Sequence, residues 1–261
     1  MDKISLTNHI KDIDLKNKMF KVIDKANQTL KNYEVNKTEF LNPYEIKNAI
    51  SILNYNKDIK YTVDGGYENA ERSVIFIYPY YMEYEDIDEK LKYIQIEGNF
   101  KFRNVSHKDY LGSVLGLGIK REKIGDIIVH ENFAQMVLIS DICDFIVYNL
   151  EKISKNNIEV KEISKDKLVE NVVEYKEITC TVSSKRLDCI ISEIYNISRQ
   201  ESLKYIKNDK VFVNYEKIVS TSKEIQDNTL ISVRGKGRVI IEDTNEKTSK
   251  GKVRIKAKVV V

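Results

Sequence analysis

The chain has 261 residues, with 43 Lys and Arg against 40 Asp and Glu and a formal net charge of +3, a length that suits two or three small domains better than one. The charge is uneven: from Thr181 to Val261 there are 17 cations and 10 acids, and the remainder of the chain is net −4. Cys143, Cys180 and Cys189 form no Cys-x-x-Cys and His9, His107 and His130 lie far apart, which excludes a disulfide framework and a spaced metal centre from the expectations.

No stretch approaches the ~20 apolar residues of a membrane span. The first residues, MDKISLTNHIKDIDLKNK, alternate charge with apolar residues, so no signal peptide is expected and the protein is read as cytoplasmic, with no membrane partner.

Residues 15–31 carry Met19, Phe20, Ile23, Ala26 and Leu30 at helical spacing, and Asn42-Pro43 supplies an N-cap and a first-turn proline before Ile46, Ala49, Ile50 and Leu53. Two packed helices are expected, in a helical region over 1–68. Gly65-Gly66 marks a turn or boundary ahead of the β-branched and aromatic run SVIFIYPYYM, a strand.

Further strands are expected near Lys92 to Glu97, Asp126 to His130 and Phe133 to Ile139, with a helix from about Lys108 to Leu117 before the last two. A helix follows Ser140 and Asp141 with apolar Ile142, Phe145, Ile146 and Leu150, and NIEVKEI is one more strand. The order β-α-β-β-α-β is the split βαβ pattern of ferredoxin-like domains, shared by RNA-recognition domains, and places such a domain over 69–170 in an α+β protein.

The strand FAQMVLIS offers only Phe133 to a nucleobase and lacks a Gly-Phe/Tyr signature, so no RNA stacking is assigned to this sheet. Gly116 and Gly118 make a Gly-x-Gly, but position 121 is arginine and a helix precedes them, which rejects a dinucleotide loop. They are read as the end of the helix, with Leu111, Val114, Leu115 and Leu117 in the core. The competing reading gives His107, Lys108, Lys120, Arg121 and Lys123 to a second basic RNA patch.

The last domain, 181–261, carries the chemistry. Ser183 or Ser184 can cap a helix with Leu187, Ile190, Ile191 and Ile194 on its core side, and Ser198 with Glu201 is a capping box ahead of Leu203 and Ile206. Lys185 and Arg186 stand at the first start and Arg199 at the second, where the helix dipole already favours phosphate. The alternative use of these cations is local pairing, Arg186 with Glu193 or Arg199 with Asp188, worth about 0 to 1 kcal/mol at a surface.

Lys204 and Lys207 continue one positive helix face, KND reads as a turn, and Val211 to Asn214 pairs with Leu230 to Val233. Then Arg234, Lys236 and Arg238 interleave with Gly235 and Gly237, a flexible corner that can approach a phosphate chain while its cations neutralise it. Beyond it, GKVRIKAKVVV alternates Lys252, Arg254, Lys256 and Lys258 with Val253, Ile255, Ala257 and Val259, a strand that either extends the RNA surface or blunts a sheet edge.

The string KRLDCIIS…ISRQESLKYIKNDKVFVN…LISVRGKGRV resembles the RNA-binding domain of small-subunit ribosomal protein four, the alpha-L motif, over Ser183 to Ile241. That resemblance implies that Arg186, Ser198, Arg199, Lys207, Asn214, Arg234, Lys236 and Arg238 occupy the motif's RNA-facing places. Two family glycine positions are Asp209 and Asn228 here, residues that tolerate left-handed backbone.

The whole layout, with HKDYLGSVLGLGIKREKIGD at its centre, resembles the bacterial YlmH family. This implies a non-enzymatic, monomeric RNA-binding factor of translation without cofactor or metal. Its partners would be rRNA or tRNA on the ribosomal large subunit, in ribosome-associated quality control of stalled peptidyl-tRNA complexes. The alternatives are an accessory protein of RNA modification, although neither a pseudouridine synthase string nor a methyltransferase loop is present, and a protein-interaction factor of cell division.

Overall fold

The computed structural model describes residues 1–87, 90–100, 105–170, 175–249 and 251–260. The chain divides into two compact units, Met1–Asn171 and Val172–Val261, each built from helices packed on antiparallel sheet. Among the described residues no helix is long and apolar enough to cross a membrane.

The first unit opens with α1 (Lys3–Thr7) and α2 (Ile13–Asn32). Asp12 starts α2 by accepting the Leu15 N–H at 2.9 Å, and the helix buries Leu15, Met19, Val22, Ile23 and Ala26. After β1 (Asn36–Lys37), the Asn-Pro signal initiates α3 (Pro43–Leu53) with a full capping box between Asn42 and Glu45.

Both helices lie on a sheet ordered β1-β3-β2, in which β2 (Ile59–Asp64) and β3 (Val74–Pro79) form a hairpin. The boundary expected at residue 68 therefore divides a hairpin, and the region before it is not purely helical. The Gly65-Gly66 pair serves the hairpin loop: Gly66 has φ of 95°, and its N–H donates to the Asp64 carboxylate at 2.8 Å.

A second sheet follows from β4 (Leu91–Gly98), α4 (His107–Gly116), β5 (Ile124–Val129), β6 (Phe133–Ile139), α5 (Cys143–Asn149), β7 (Lys152–Ile153) and β8 (Asn156–Ile163). Its order is β5-β6-β4-β8-β7, antiparallel throughout. Strand alternation sends Ile94, Ile96, Ala134, Met136 and Leu138 to the helix side, where they meet Tyr110, Val114 and Ile146. The helix ends and core stripes differ in two places: Leu115 is 38% and Phe145 47% exposed, because each lies off the buried i, i+4 stripe of its helix.

The other face of this sheet is closed as well. Tyr93, Val137 and Ile139 pack against Phe40, Val74, Phe76 and Tyr78, so β6 is buried on both sides. Gln135, 1% exposed, donates to the Gln95 side chain and to the Lys167 carbonyl, both at 2.9 Å, and accepts the Val169 N–H at 2.8 Å. The chain after β8 is thereby held over the sheet.

The second unit comprises β9 (Tyr175–Val182), α6 (Leu187–Ile194), α7 (Arg199–Lys207), β10 (Val211–Val213), β11 (Glu216–Lys217), β12 (Thr229–Val233), β13 (Gly237–Lys247) and β14 (Val253–Val260). One six-stranded sheet runs β11-β10-β12-β13-β14-β9, in which β10 pairs with β12 as the sequence predicts, Val211 standing opposite Val233. Leu187, Ile190, Ile191 and Ile206 of the helices pack on Val211, Val213, Ile231, Val233 and Val239, all within one buried cluster.

The expected cationic strand is β14, and it lies inside the sheet between β13 and β9, so it blunts no edge; its last expected residue, Val261, lies outside the described residues. Its cations face carboxylates, with Arg254 at 2.9 Å from Glu246, Lys258 at 2.6 Å from Glu242 and Lys256 at 3.8 Å from Glu177. Local neutralisation makes this strand a poor extension of a polyanion surface.

Two glycines of the first unit differ in what they tolerate. A Cβ on Gly125 would stand 2.7 Å from the buried Phe40 ring, whereas one on Gly112 of α4 meets nothing within 4 Å. Gly125→Ala is expected to destabilise by about 1–3 kcal/mol through overpacking, and Gly112→Ala to stabilise by roughly 0.5–1 kcal/mol through helix propensity; urea unfolding followed by circular dichroism checks both.

Candidate nucleic-acid interface

The start of α6 is built from the sequence Lys185-Arg186-Leu187-Asp188. Arg186 itself is the N-cap residue, with extended backbone, and not Ser183 or Ser184, whose hydroxyls sit 3.5 Å from the Cys189 sulfur. The strand-like segment 223–225 covers this end: the Leu187 N–H donates to the Lys223 carbonyl and the Ile225 N–H to the Lys185 carbonyl, each at 2.9 Å. Because one of its N–H groups is already paired, this terminus is a poorer anion cradle than the sequence predicts.

Asp188, in the first turn of α6, is 1% exposed and binds both neighbouring arginines. Its carboxylate accepts from Arg186 Nε at 3.0 Å and from Arg199 Nε at 2.8 Å. Ser202 Oγ donates to the Asp188 carbonyl at 3.0 Å, so the start of α7 is fastened to the start of α6. The local pairing of Arg199 with Asp188 is therefore present, and Arg186 joins the same carboxylate in place of Glu193.

This pairing does not cancel the charge. Two guanidiniums share one carboxylate, a local balance of +1, and their side chains remain 42% and 56% exposed. Burial raises the Asp188 carboxyl, but the hydrogen bonds from Arg186 and Arg199 more than offset it, so it titrates below the ordinary carboxylate range. In return, the hydrogen bond and charge of Asp188 raise the Arg199 guanidinium.

Along α7, Ser198 accepts the Glu201 N–H at 3.1 Å and forms its half of the capping box. The hydroxyl thus has a structural use at the helix start. Lys204 and Lys207 are exposed in the last turn. Asp209 follows with φ of 56° and Asn228 has φ of 52°, so both non-glycine residues adopt the expected left-handed backbone.

The glycine corner is the three-residue turn 234–236 between β12 and β13, closed by the Lys236 N–H donating to the Val233 carbonyl at 2.9 Å. Gly235 and Gly237 have φ of 82° and 108°, values that a β-carbon disfavours. Tyr195, at the end of α6, donates its hydroxyl to the Gly237 carbonyl at 3.1 Å. The Arg234 N–H donates to the Lys210 carbonyl at 2.9 Å, joining the corner to the end of the α7 turn. Lys204, Lys207, Arg234, Lys236 and Arg238 are all exposed.

Asn214 is different. Its side-chain oxygen accepts the Leu230 N–H at 2.9 Å while its own N–H donates to the Leu230 carbonyl at 2.8 Å; the residue splices β10 to β12. Three residues that the sequence reading did not assign also stand here: Lys210 lies over the Tyr205 ring at 5.7 Å, and Arg234 over the Phe212 ring at 5.1 Å. An aromatic at an outward strand position beside a basic corner was the legible signal.

The second patch of the first unit comes apart. Arg121 donates to the Ile124 carbonyl, and to that of Gly125 at 3.2 Å, and burial with Arg72 nearby pushes its pKa down to about 10. Lys123 is bound to Asp141 at 2.8 Å. Only His107, Lys108 and Lys120 are exposed, so the five residues do not form one cationic surface. Arg121 is a half-buried tie for the loop after α4, drawn in by two backbone oxygens.

Asp188 gives the C-terminal unit one acid-sensitive link. Its pKa is depressed by folding, so its contribution is fully present above the unfolded value near ~3.9 and lost as pH falls through the lower folded value. Asp188→Asn is expected to cost about 1–3 kcal/mol at neutral pH, with the gap to wild type closing in acid; urea titrations across pH measure it.

Against known proteins, the sequence model described as "Putative RNA-binding domain in YlmH" matches residues 85–167, and that described as "YlmH, N-terminal" matches 15–82. The chain is 31% identical over 223 residues to "Ribosome-associated protein quality control protein P2" of Bacillus subtilis, covering 85% of this chain and 86% of that protein. The solved structure of "Cell division protein ylmH from Streptococcus pneumoniae" superposes with a TM-score of 0.51 at 25% identity, over 60% of this chain and 96% of that one. On these matches, spanning both the helical start and the second sheet and most of a curated relative, the chain belongs to the YlmH family.

Proposed function

We propose that this protein is a non-catalytic RNA-binding factor that acts on the ribosomal large subunit, gripping structured rRNA or tRNA of stalled peptidyl-tRNA complexes during quality control. The grip is formed by Arg186 and Arg199 with Lys204 and Lys207 of α7 and Lys236 at the corner, whereas strand alternation turns Arg238 to the other face of the sheet, where Arg234 lies over Phe212. One observation carries this reading: the buried Asp188 carboxylate holds two half-exposed guanidiniums, Arg186 at the N-cap of α6 and Arg199 at the start of α7, and the chain just past α7 is tied to the corner through the Lys210 carbonyl. Such fixed forks suit phosphate oxygens, which position an RNA without reading its bases.

The strand order of the second sheet, with α4 and α5 on one side, supports a ferredoxin-like domain, and the helix pair with β10, β12 and β13 supports an alpha-L domain. The name of the Bacillus relative places it with the ribosome, and the name of the matched family segment with RNA. We read the protein as a cytoplasmic monomer that needs no cofactor.

Binding to large subunits should fall steeply with salt, with a log–log slope of roughly −0.7 to −0.9 per phosphate contact. Lys207→Ala and Lys236→Ala should each weaken it by about 1 kcal/mol without changing the melting temperature. Arg199→Ala should weaken it further, and co-sedimentation of the Arg199, Lys207 and Lys236 triple variant at wild-type level would reject the grip. A salt-insensitive association carried by protein alone would favour the division factor named for the Streptococcus relative.

A further inference from the structure

The second unit has a sheet face that its helices leave open. Val211, Val213, Ile231, Val233 and Val239 point into the helix-covered core, so strand alternation turns Phe212, Ser232 and Arg238 to the opposite side. These three stand in one row across β10, β12 and β13, with Phe212 opposite Ser232 and Ser232 opposite Arg238. The row continues to Lys217 of β11, paired with Phe212.

Phe212 is only half-buried, and what lies on its ring is a cation: the Arg234 guanidinium, 5.1 Å from the centroid and itself exposed. A phenylalanine on the outward face of a sheet adds nothing to the core beneath it. A guanidinium is planar and weakly hydrated, and one that rests on an aromatic ring is suited to meeting a second π-system. The carboxylates Glu242 and Glu177 of this face stand on β13 and β9, against Lys258 and Lys256, away from the Phe212 end of the sheet.

We propose that this outer face, centred on Phe212 and Arg234, is a stacking site for an unpaired nucleotide of the bound RNA, separate from the phosphate grip on α7. The inference rests on the RNA-binding reading above and names what that reading lacks: a contact that distinguishes a splayed base from duplex. Every base offers a π-face, so the site takes single-stranded RNA with little sequence preference. It also supplies, on this sheet, the open aromatic and cationic surface that central strand β6 of the first unit, buried on both faces, cannot offer.

The test compares a blunt RNA hairpin with the same hairpin carrying a single-stranded tail of about eight nucleotides, within the usual span of such sites, by fluorescence anisotropy with the full chain. Wild type should bind the tailed RNA roughly tenfold more tightly; Phe212→Leu should erase that preference and Phe212→Tyr should retain it. The chain has no tryptophan, so Phe212→Trp introduces a single indole at the site, excited selectively over the tyrosines, and tailed but not blunt RNA should quench it.

Equal affinity of wild type for the two hairpins, or an unquenched Phe212→Trp that still binds the tailed RNA, overturns the stacking site while leaving the grip on α7 in place. Binding of neither hairpin by wild type overturns both. Should Phe212→Leu fail to fold, the emission of Phe212→Trp decides alone.

Discussion

The C-terminal unit turns on one carboxylate. Asp188 is buried where an unpaired charge would be costly, and it is stabilised there by two guanidiniums that approach from different elements, the N-cap of α6 and the first residue of α7. The same arrangement fixes the angle between the two short helices and the direction of both cations. Structural and functional uses of Arg186 and Arg199 are thus not alternatives: each guanidinium turns its Nε–H inward to the carboxylate, and half of each side chain remains outside.

A similar economy shapes the corner. Its glycines allow the chain to reverse within three residues, and its position is set from two sides, by the Tyr195 hydroxyl on the Gly237 carbonyl and by the Arg234 N–H on the Lys210 carbonyl. A loop of cations would otherwise repel itself and move freely; tied at both ends it becomes a shaped surface.

The two sheets of comparable size have opposite fates. In the first unit the sheet of β4 to β8 is covered by helices on one side and by Phe40, Val74 and Phe76 on the other, and Gln135 stitches a further segment across it. In the second unit the sheet is covered on the helix side, while Phe212, Leu230 and Ile240 remain partly accessible on the reverse. The region whose strand order resembles RNA readers therefore lacks their open sheet face, and the region recognised by its helices has one.

Local signals in the sequence determined the elements: the Asn42-Pro43 start of α3 and the Ser198 start of α7 follow from short-range backbone chemistry, while left-handed Asp209 and Asn228 were expected from the glycine positions of the resembled motif. Its basic C-terminal third, with Arg199, Lys207 and Arg234, was legible for the same reason, since charge and helical spacing are properties of neighbours in the chain. What only the tertiary structure decided depends on residues distant in sequence. Arg121 turned inward to two carbonyls, Asn214 became a splice, the β14 cations met carboxylates on adjoining strands, and Arg234 came to rest on Phe212. A side chain's periodicity tells which way it points, but its partner is set by which strand folds beside it, and that pairing is not written in any one segment.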